Sequence, residues 1–323
     1  MKRFLILFLL GFLLIFPCWG KHQTYVNLRG VNDAKREDAL QQNAGALLSE
    51  FNRAFFRKSS LKLDDIPLSD GAKRVLNEMW ENKSFYCPEQ RIFEILISRS
   101  DGRDELRNIP IIYDKKSSNI LDDEVIMIFD KSNTIVDFRI ALEKEKYIKT
   151  FEQAQTLQDK QLLEIVMDFV ENYRTAYNRK DINYIDKVFS DNALIIVGSV
   201  LEQRAALPDN MGLSKLSSNK DVSYSRLNKS QYIRNLRSCF IKNKFVRVEF
   251  ADFKVQRHPV KDFVFGVQMH QKWRSSTYND DGYLFLIVDL RDIEEPLIWV
   301  RTWQPEKDVR SAEVFELGDF IIE

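Results

Sequence analysis

The chain has 323 residues, 48 of them basic and 48 acidic, so its formal charge is zero; 44% are hydrophobic, 30% charged and 12% aromatic, with 23 Phe. That length suggests about two domains at ~150 residues each. The composition excludes wholesale disorder, and 11 Gly with 8 Pro exclude collagen-like and Gly- or Pro-rich classes. A neutral chain lacks the basic face of a dedicated nucleic-acid binder, so no nucleic-acid partner is expected.

Lys2 and Arg3 precede an apolar run from Phe4 to Phe16, and Pro17 ends it. The run is too short to span ~30 Å of hydrocarbon as a helix. This order is that of an export signal over residues 1–20, with small residues Cys18 and Gly20 at the cleavage site. The expectation is a periplasmic or extracellular protein; an uncleaved anchor is the alternative, and Phe16 and Pro17 argue against a lipid on Cys18. Without the signal the net charge is −2, because Lys2 and Arg3 leave with it. No later run is apolar enough to predict a transmembrane segment. Cys87 and Cys239 remain; an oxidising compartment would let them pair, but two free thiols are the plainer expectation. Neither lies in a CxxC or HxxxH spacing, so no metal and no cofactor is predicted.

Residues 21–42 read as a polar lead-in. An N-terminal α+β domain follows over 43–145: helices through Leu47, Leu48, Phe51 and Phe55, then through Val75, Leu76, Met79 and Trp80. Strands follow over 91–98, 109–113, 125–129 and 135–142, with Ser132-Asn133 closing a hairpin. A charged linking helix is predicted over 146–160, and a second domain over 161–323. That domain opens on an amphipathic helix carrying Leu162, Ile165, Val166, Phe169, Tyr173 and Tyr177, then a short helix capped by Asp181. A strand over 193–197 precedes a polar stretch, 201–228, that reads as a long irregular loop. A third helix over 230–240 leads into strands over 245–256, 263–274, 283–290 and 297–303, with a hairpin turn at Asn279 to Gly282 and a last strand over 312–317. This order predicts α+β, with helices on one face of a curved antiparallel sheet.

Phe51-Asn52-Arg53-Ala54-Phe55 echoes Tyr173-Arg174-Thr175-Ala176-Tyr177, Val125 to Asp130 echoes Leu284 to Asp289, and Phe138-Arg139 echoes Val300-Arg301. The order is kept, as an abridged first copy of one fold would keep it.

The stretch from Tyr173 to Ala193, with Asn178 and Asp181 at its corner, Phe189 closing the second helix and Asp191 before Ala193, resembles the opening of NTF2-like domains (SnoaL-like and ketosteroid-isomerase-like). The resemblance implies a cone: a strongly bent sheet wrapped around helices, with a pocket at its open end. It also implies a homodimer through the sheet face. In ketosteroid isomerases a first-helix tyrosine hydrogen-bonds the enolate and an aspartate further along moves the proton. Laid on that pattern, the tyrosine is Tyr173 and the base position falls on Val197, which cannot move a proton.

Trp299, Arg301 and Trp303 are read as sharing one strand face, where Arg between aromatics suits a carboxylate or a stacked ring. With Tyr173 and Tyr177 they form the expected ligand wall; a framework pair of Arg301 with Asp289, echoed by Asp130 with Arg139, is the alternative. His270 alternates onto a polar face with Gln268 and Lys272. The preferred reading is a non-catalytic binding or interaction protein for a small hydrophobic ligand or a protein partner. The alternative is an isomerase-type enzyme using Tyr173 with His270 or Asp289 as base.

Overall fold

The computed structural model describes residues 22–113, 123–152, 154–200, 222–306 and 314–321. The expected export signal lies outside the described residues, as does 201–221 of the expected loop.

The segment read as a lead-in is structured. Strand β1 (Tyr25–Arg29) pairs in parallel with β2 (Arg91–Ile95), and helix α1 (Ala34–Arg57) begins inside it. Asp33 caps α1 by accepting from the backbone N–H groups of Lys35 and Arg36, at 2.9 and 3.3 Å. The first turns of α1 are charged on their exposed side, which masks the buried stripe of Leu40, Ala44, Leu47, Leu48 and Phe51.

Helices α1 and α2 (Asp70–Asn82) cover one face of a sheet ordered β3 (Ile97–Ser98), β4 (Asp104–Ile111), β5 (Asp123–Phe129) and β6 (Ile135–Ile140), all antiparallel. Asn133 sits at φ 66° in the β5–β6 turn, a conformation that Asn tolerates. Phe51, Phe85, Leu106, Val125, Met127 and Phe138 form the apolar core between these layers.

The expected single linking helix is two. Helix α3 (Lys144–Glu152) ends before α4 (Leu157–Asn178), which restarts at a capping box between Thr156 and Asp159. A short α5 (Ile182–Lys187) is capped by Asp181, as the sequence predicts. Strand β7 (Phe189–Val200) pairs with β8 (Val222–Leu227), so the end of the predicted loop is a strand. Helix α6 (Lys229–Lys242) leads to β9 (Val246–Arg257), β10 (Val264–Ser275), β11 (Asn279–Asp289) and β12 (Leu297–Pro305). Asn279 to Gly282 belongs to β11 rather than to the turn; the chain reverses at 276–278, with Arg274 opposite Asn279.

These six strands form one sheet, ordered β8-β7-β12-β11-β10-β9, in which β7 and β12 are parallel and the other pairs antiparallel. Bulges interrupt β9–β10 near His270, β11–β12 near Ile287 and β12–β7 near Trp299, and bulges bend a strand and raise its twist. Helices α4, α5 and α6 pack on the inner face, over Phe250, Phe265, Val267, Leu284 and Leu286. On the outer face Val264, Phe285, Ile287 and Val300 are covered by the chain's own segment 314–321, through Phe315, Leu317 and Phe320. Its only regular element is a single 3-10 turn (Leu317–Asp319), not the expected strand.

Helix α4 is buried on two sides, which explains its composition. Val166, Phe169, Val170 and Tyr173 face the six-stranded sheet. Glu164, Asp168, Glu171 and Thr175, at helical spacing, face the back of the four-stranded sheet instead. There Arg99, Arg107 and Arg139 meet them: Arg99 lies 3.1 Å from Glu164, Arg139 lies 3.0 Å from Asp168, Arg107 pairs with Glu171, and Glu105 joins Arg99 to Arg107. Arg107 also stacks on Tyr147, 3.6 Å from the ring centroid. Arg139 therefore does not pair with Asp130, whose carboxylate accepts from Ser132 and Thr134 in the hairpin turn. The echo of Phe138-Arg139 in Val300-Arg301 also breaks in space. Phe138 faces α1 while Val300 faces the outer surface, so the two arginines leave their sheets on opposite sides with respect to the preceding helices.

No described helix is long and apolar enough to cross a membrane. Cys87 and Cys239 are both free; burial pushes the Cys87 thiol up to about 11.

Candidate functional site

Three elements bring the predicted wall residues together inside the six-stranded half. Tyr173 and Tyr177, one helical turn apart on α4, share a hydrogen bond of 2.9 Å between their hydroxyls. Tyr177 is hydrogen-bonded in turn to Tyr232 of α6, a residue that sequence patterning did not single out. Arg301 reaches in from β12, 4.9 Å from the centre of the Tyr232 ring, and lies close enough to Tyr173 and Tyr177 to interact with their hydroxyls. Trp303 lies on the same strand face, opposite Leu284 and Val197, which belong to the inner core.

Trp299 does not join them. The bulge at this position breaks the alternation, so Trp299 packs with the outer cluster under the guanidinium of Arg291, 4.7 Å from its ring centroid. Asp289 is also elsewhere: its carboxylate accepts from Arg291 Nε at 2.8 Å and makes no pair with Arg301. His270 projects from the outer face beside Tyr283, away from Tyr173, as its polar strand neighbours predict. His258 caps a turn by accepting from the backbone N–H groups of Val260 and Lys261.

The tyrosine ring is closed by aromatic contacts: Tyr173 against Phe169, Phe189 and Phe250, and Tyr177 against Trp273 and Phe240. Burial holds the Tyr173 and Tyr177 hydroxyls protonated well above the ordinary tyrosine range; Tyr232 adds to this at both and Tyr173 adds to it at Tyr177, while Arg301 opposes it at both. Burial disfavours the charge of Arg301, but the hydroxyls of Tyr232, Tyr173 and Tyr177 outweigh it and keep the guanidinium protonated. Among the described residues no carboxylate pairs with Arg301, and its Nε and the Trp303 Nε1 have no hydrogen-bond partner. Such a group can orient a dipole or hold an anion. It cannot shuttle a proton near neutral pH, because neither a tyrosine raised above 10 nor an arginine changes state there. Val197 sits where the resemblance placed the base, packed against the inner core.

The larger open space lies at the other end of α4. A cavity of about 290 Å³ is lined by Gln155, Asp159 and Leu163 from the α4 entry and by Val255, Arg257 and Phe265 from β9 and β10. Leu163 and Tyr173 are separated by roughly 15 Å along the helix at 1.5 Å per residue. Its lining combines the Arg257–Asp159 ion pair, at 2.7 Å, with the apolar Leu163, Val255 and Phe265. Only tertiary pairing of α4 with the β9–β10 hairpin creates this space, and no local motif marks it.

No family model and no curated protein matches the sequence. Among solved structures, an NTF2-like protein from Cytophaga hutchinsonii is 13% identical, with 44% of this chain and 96% of that one aligned and a TM-score of 0.32. Bd1075 of Bdellovibrio bacteriovorus is 11% identical over 62% of this chain and 75% of its own, at a TM-score of 0.34. A naphthalene 1,2-dioxygenase chain is 9% identical over 52% and 89%, at a TM-score of 0.35. The chain's own elements make it α+β, and NTF2-like proteins match part of it; likenesses this distant say nothing of activity.

Proposed function

We propose that this is an exported, non-catalytic binding protein whose six-stranded half is an NTF2-like cone, and that it takes a small hydrophobic ligand at the cone's mouth. The leader pattern of residues 1–20 supports export. The strand order and the helices packed on the inner face support the cone. The observation that carries the non-catalytic reading is the surroundings of Tyr173: two tyrosines, an arginine and packed phenylalanines, with an aliphatic side chain at the base position.

The cavity between α4 and the β9–β10 hairpin supports the ligand class. Leu163, Val255 and Phe265 offer apolar contact, while Arg257, Asp159 and Gln155 suit one polar end. The outer sheet face is the weaker candidate for a partner or a homodimer, because the segment 314–321 already covers its apolar part.

A thermal-shift screen of small hydrophobic acids, alcohols and amides tests this. Leu163→Trp, or Val255→Phe from the strand side, fills the cavity and should abolish every ligand-induced shift, while Arg301→Met should leave them intact. The reverse pattern would move the ligand to the tyrosine ring. Turnover of any such compound, lost in Tyr173→Phe, would overturn the non-catalytic reading.

A further inference from the structure

We propose that His270, Asp281 and Glu306 form a site for a divalent first-row transition ion of the Zn²⁺ class on the outer face of the six-stranded sheet. One ligand atom from each residue lies within 4.8 Å of the others. The three come from adjacent strands: His270 from β10, Asp281 from β11 and Glu306 just past the end of β12.

His270 and Asp281 are already in contact. His270 Nε2 and Asp281 Oδ1 are 2.6 Å apart, both atoms are buried, and neither has a partner other than this ion-pair contact. Two ligands of one tetrahedral zinc at ~2.1 Å stand roughly 3.4 Å apart, so ion binding would widen this contact by under about 1 Å.

Charge points the same way. Gly282 pairs with Pro305, so one step further Asp281 and Glu306 face each other across the strands. Like charges directly opposite in a sheet are destabilising. Lys272 is the register partner of Asp281 on the other side, yet the carboxylate turns to His270 instead. With a neutral imidazole the set carries two negative charges, which a divalent cation neutralises. The Tyr283 ring packs 5.2 Å from the imidazole, centroid to centroid, and fixes its orientation. One nitrogen and two oxygens suit Zn²⁺ or Co²⁺ and leave positions open for water, whereas Mg²⁺ prefers oxygen alone. A bound ion would clamp the end of β12 to β10 and β11.

The test uses the full chain without an affinity tag, stripped with chelator and desalted. Isothermal titration should show one saturable Zn²⁺ site, and Co²⁺ should give a visible absorption band at the same stoichiometry. His270→Ala and Asp281→Asn should each weaken binding by at least about tenfold. Glu306→Gln, an exposed change that leaves the fold alone, should weaken it too. Absence of saturable Zn²⁺ binding overturns the proposal and leaves a His–Asp ion pair. Binding unchanged by both His270→Ala and Glu306→Gln overturns it as well, as does Mg²⁺ binding as tight as Zn²⁺.

Discussion

Arg174 on α4 forms an ion pair with Asp123 at the start of β5, and both side chains are 5% exposed. The same guanidinium donates to Ala141 O at 2.7 Å and to Val248 O at 3.0 Å, so one residue ties β5, the end of β6 and β9 together. Asp123 holds a second cation, Arg247, at 3.2 Å. Removing one partner of a buried pair leaves the other charge uncompensated and costs about 3–5 kcal/mol. Arg174→Met and Asp123→Asn should each fall in that range by urea denaturation. The double variant should cost less than the sum, by more than about 1 kcal/mol. An additive result would show that the pair is not coupled. Because the pair spans both halves, the transition should stay single when followed by circular dichroism and by Trp fluorescence.

The elements of this molecule were largely legible in its sequence, and the joint between its halves was not. Apolar spacing located α4 through Leu162, Val166, Phe169 and Tyr173, and Asp181 marked the next cap, since both signals are local. Glu164, Asp168 and Glu171 carry no signal in the sequence, because a charged stripe buried against three arginines of a distant sheet has no local signature. The site was half legible for the same reason. Tyr173, Tyr177, Arg301 and Trp303 do converge, but Trp299 was assigned by strict alternation, and one bulge moves it to the other side. Tyr232 and the cavity-lining residues depend on helix and hairpin packing that periodicity cannot see.

Alkaline pH should unfold the protein through its buried tyrosines. Burial is the largest cause raising Tyr113, Tyr147, Tyr173 and Tyr177, with Asp123 adding to it at Tyr113 and Glu105 at Tyr147. Their folded values lie above the unfolded value near 10, so the folded state binds more protons above that pH. Their contribution is complete below pH ~10 and is lost as pH rises toward the folded values. Each group removes about 1.4 kcal/mol per pH unit in that window. Tyrosinate absorbance should therefore rise in two stages, the second coinciding with loss of far-ultraviolet dichroism. Smooth titration of every tyrosine before any loss of structure would refute the burial of these four.

Arg301→Met should keep or raise stability. The guanidinium is buried without a carboxylate, its Nε is unbonded, and its compensation is the face of Tyr232 and the dipoles of the neighbouring tyrosine hydroxyls. Exchanging a buried ionic group for an apolar one of similar volume is often neutral or stabilising by about 1–4 kcal/mol. Arg301→Ala is the control: it leaves a cavity and should cost about 2–5 kcal/mol. If Arg301→Met destabilises as much as Arg301→Ala, the charge itself supports the fold, and the tyrosine ring is a framework rather than a dispensable polar group.

Gly282 is the position on β11 where a side chain cannot be added. A Cβ there would lie 2.2 Å from Gln304 O and 3.0 Å from the Trp303 ring, and the first of these atoms is backbone that cannot swing away. Gly282→Ala must therefore separate β11 from β12 at the Gly282–Pro305 pair. Overpacking of this kind costs about 1–3 kcal/mol, and more where backbone must move. The strand end that shifts carries Glu306 and lies next to Asp281. The substitution should then lower the midpoint of thermal unfolding and also weaken Zn²⁺ binding, with His270 untouched. Gly71, which opens α2 with only the Ser69 hydroxyl nearby at 3.8 Å, gives the comparison: Gly71→Ala should be neutral or stabilising. Equal effects of the two substitutions would mean that the close approach of β12 to Gly282 does not constrain the sheet.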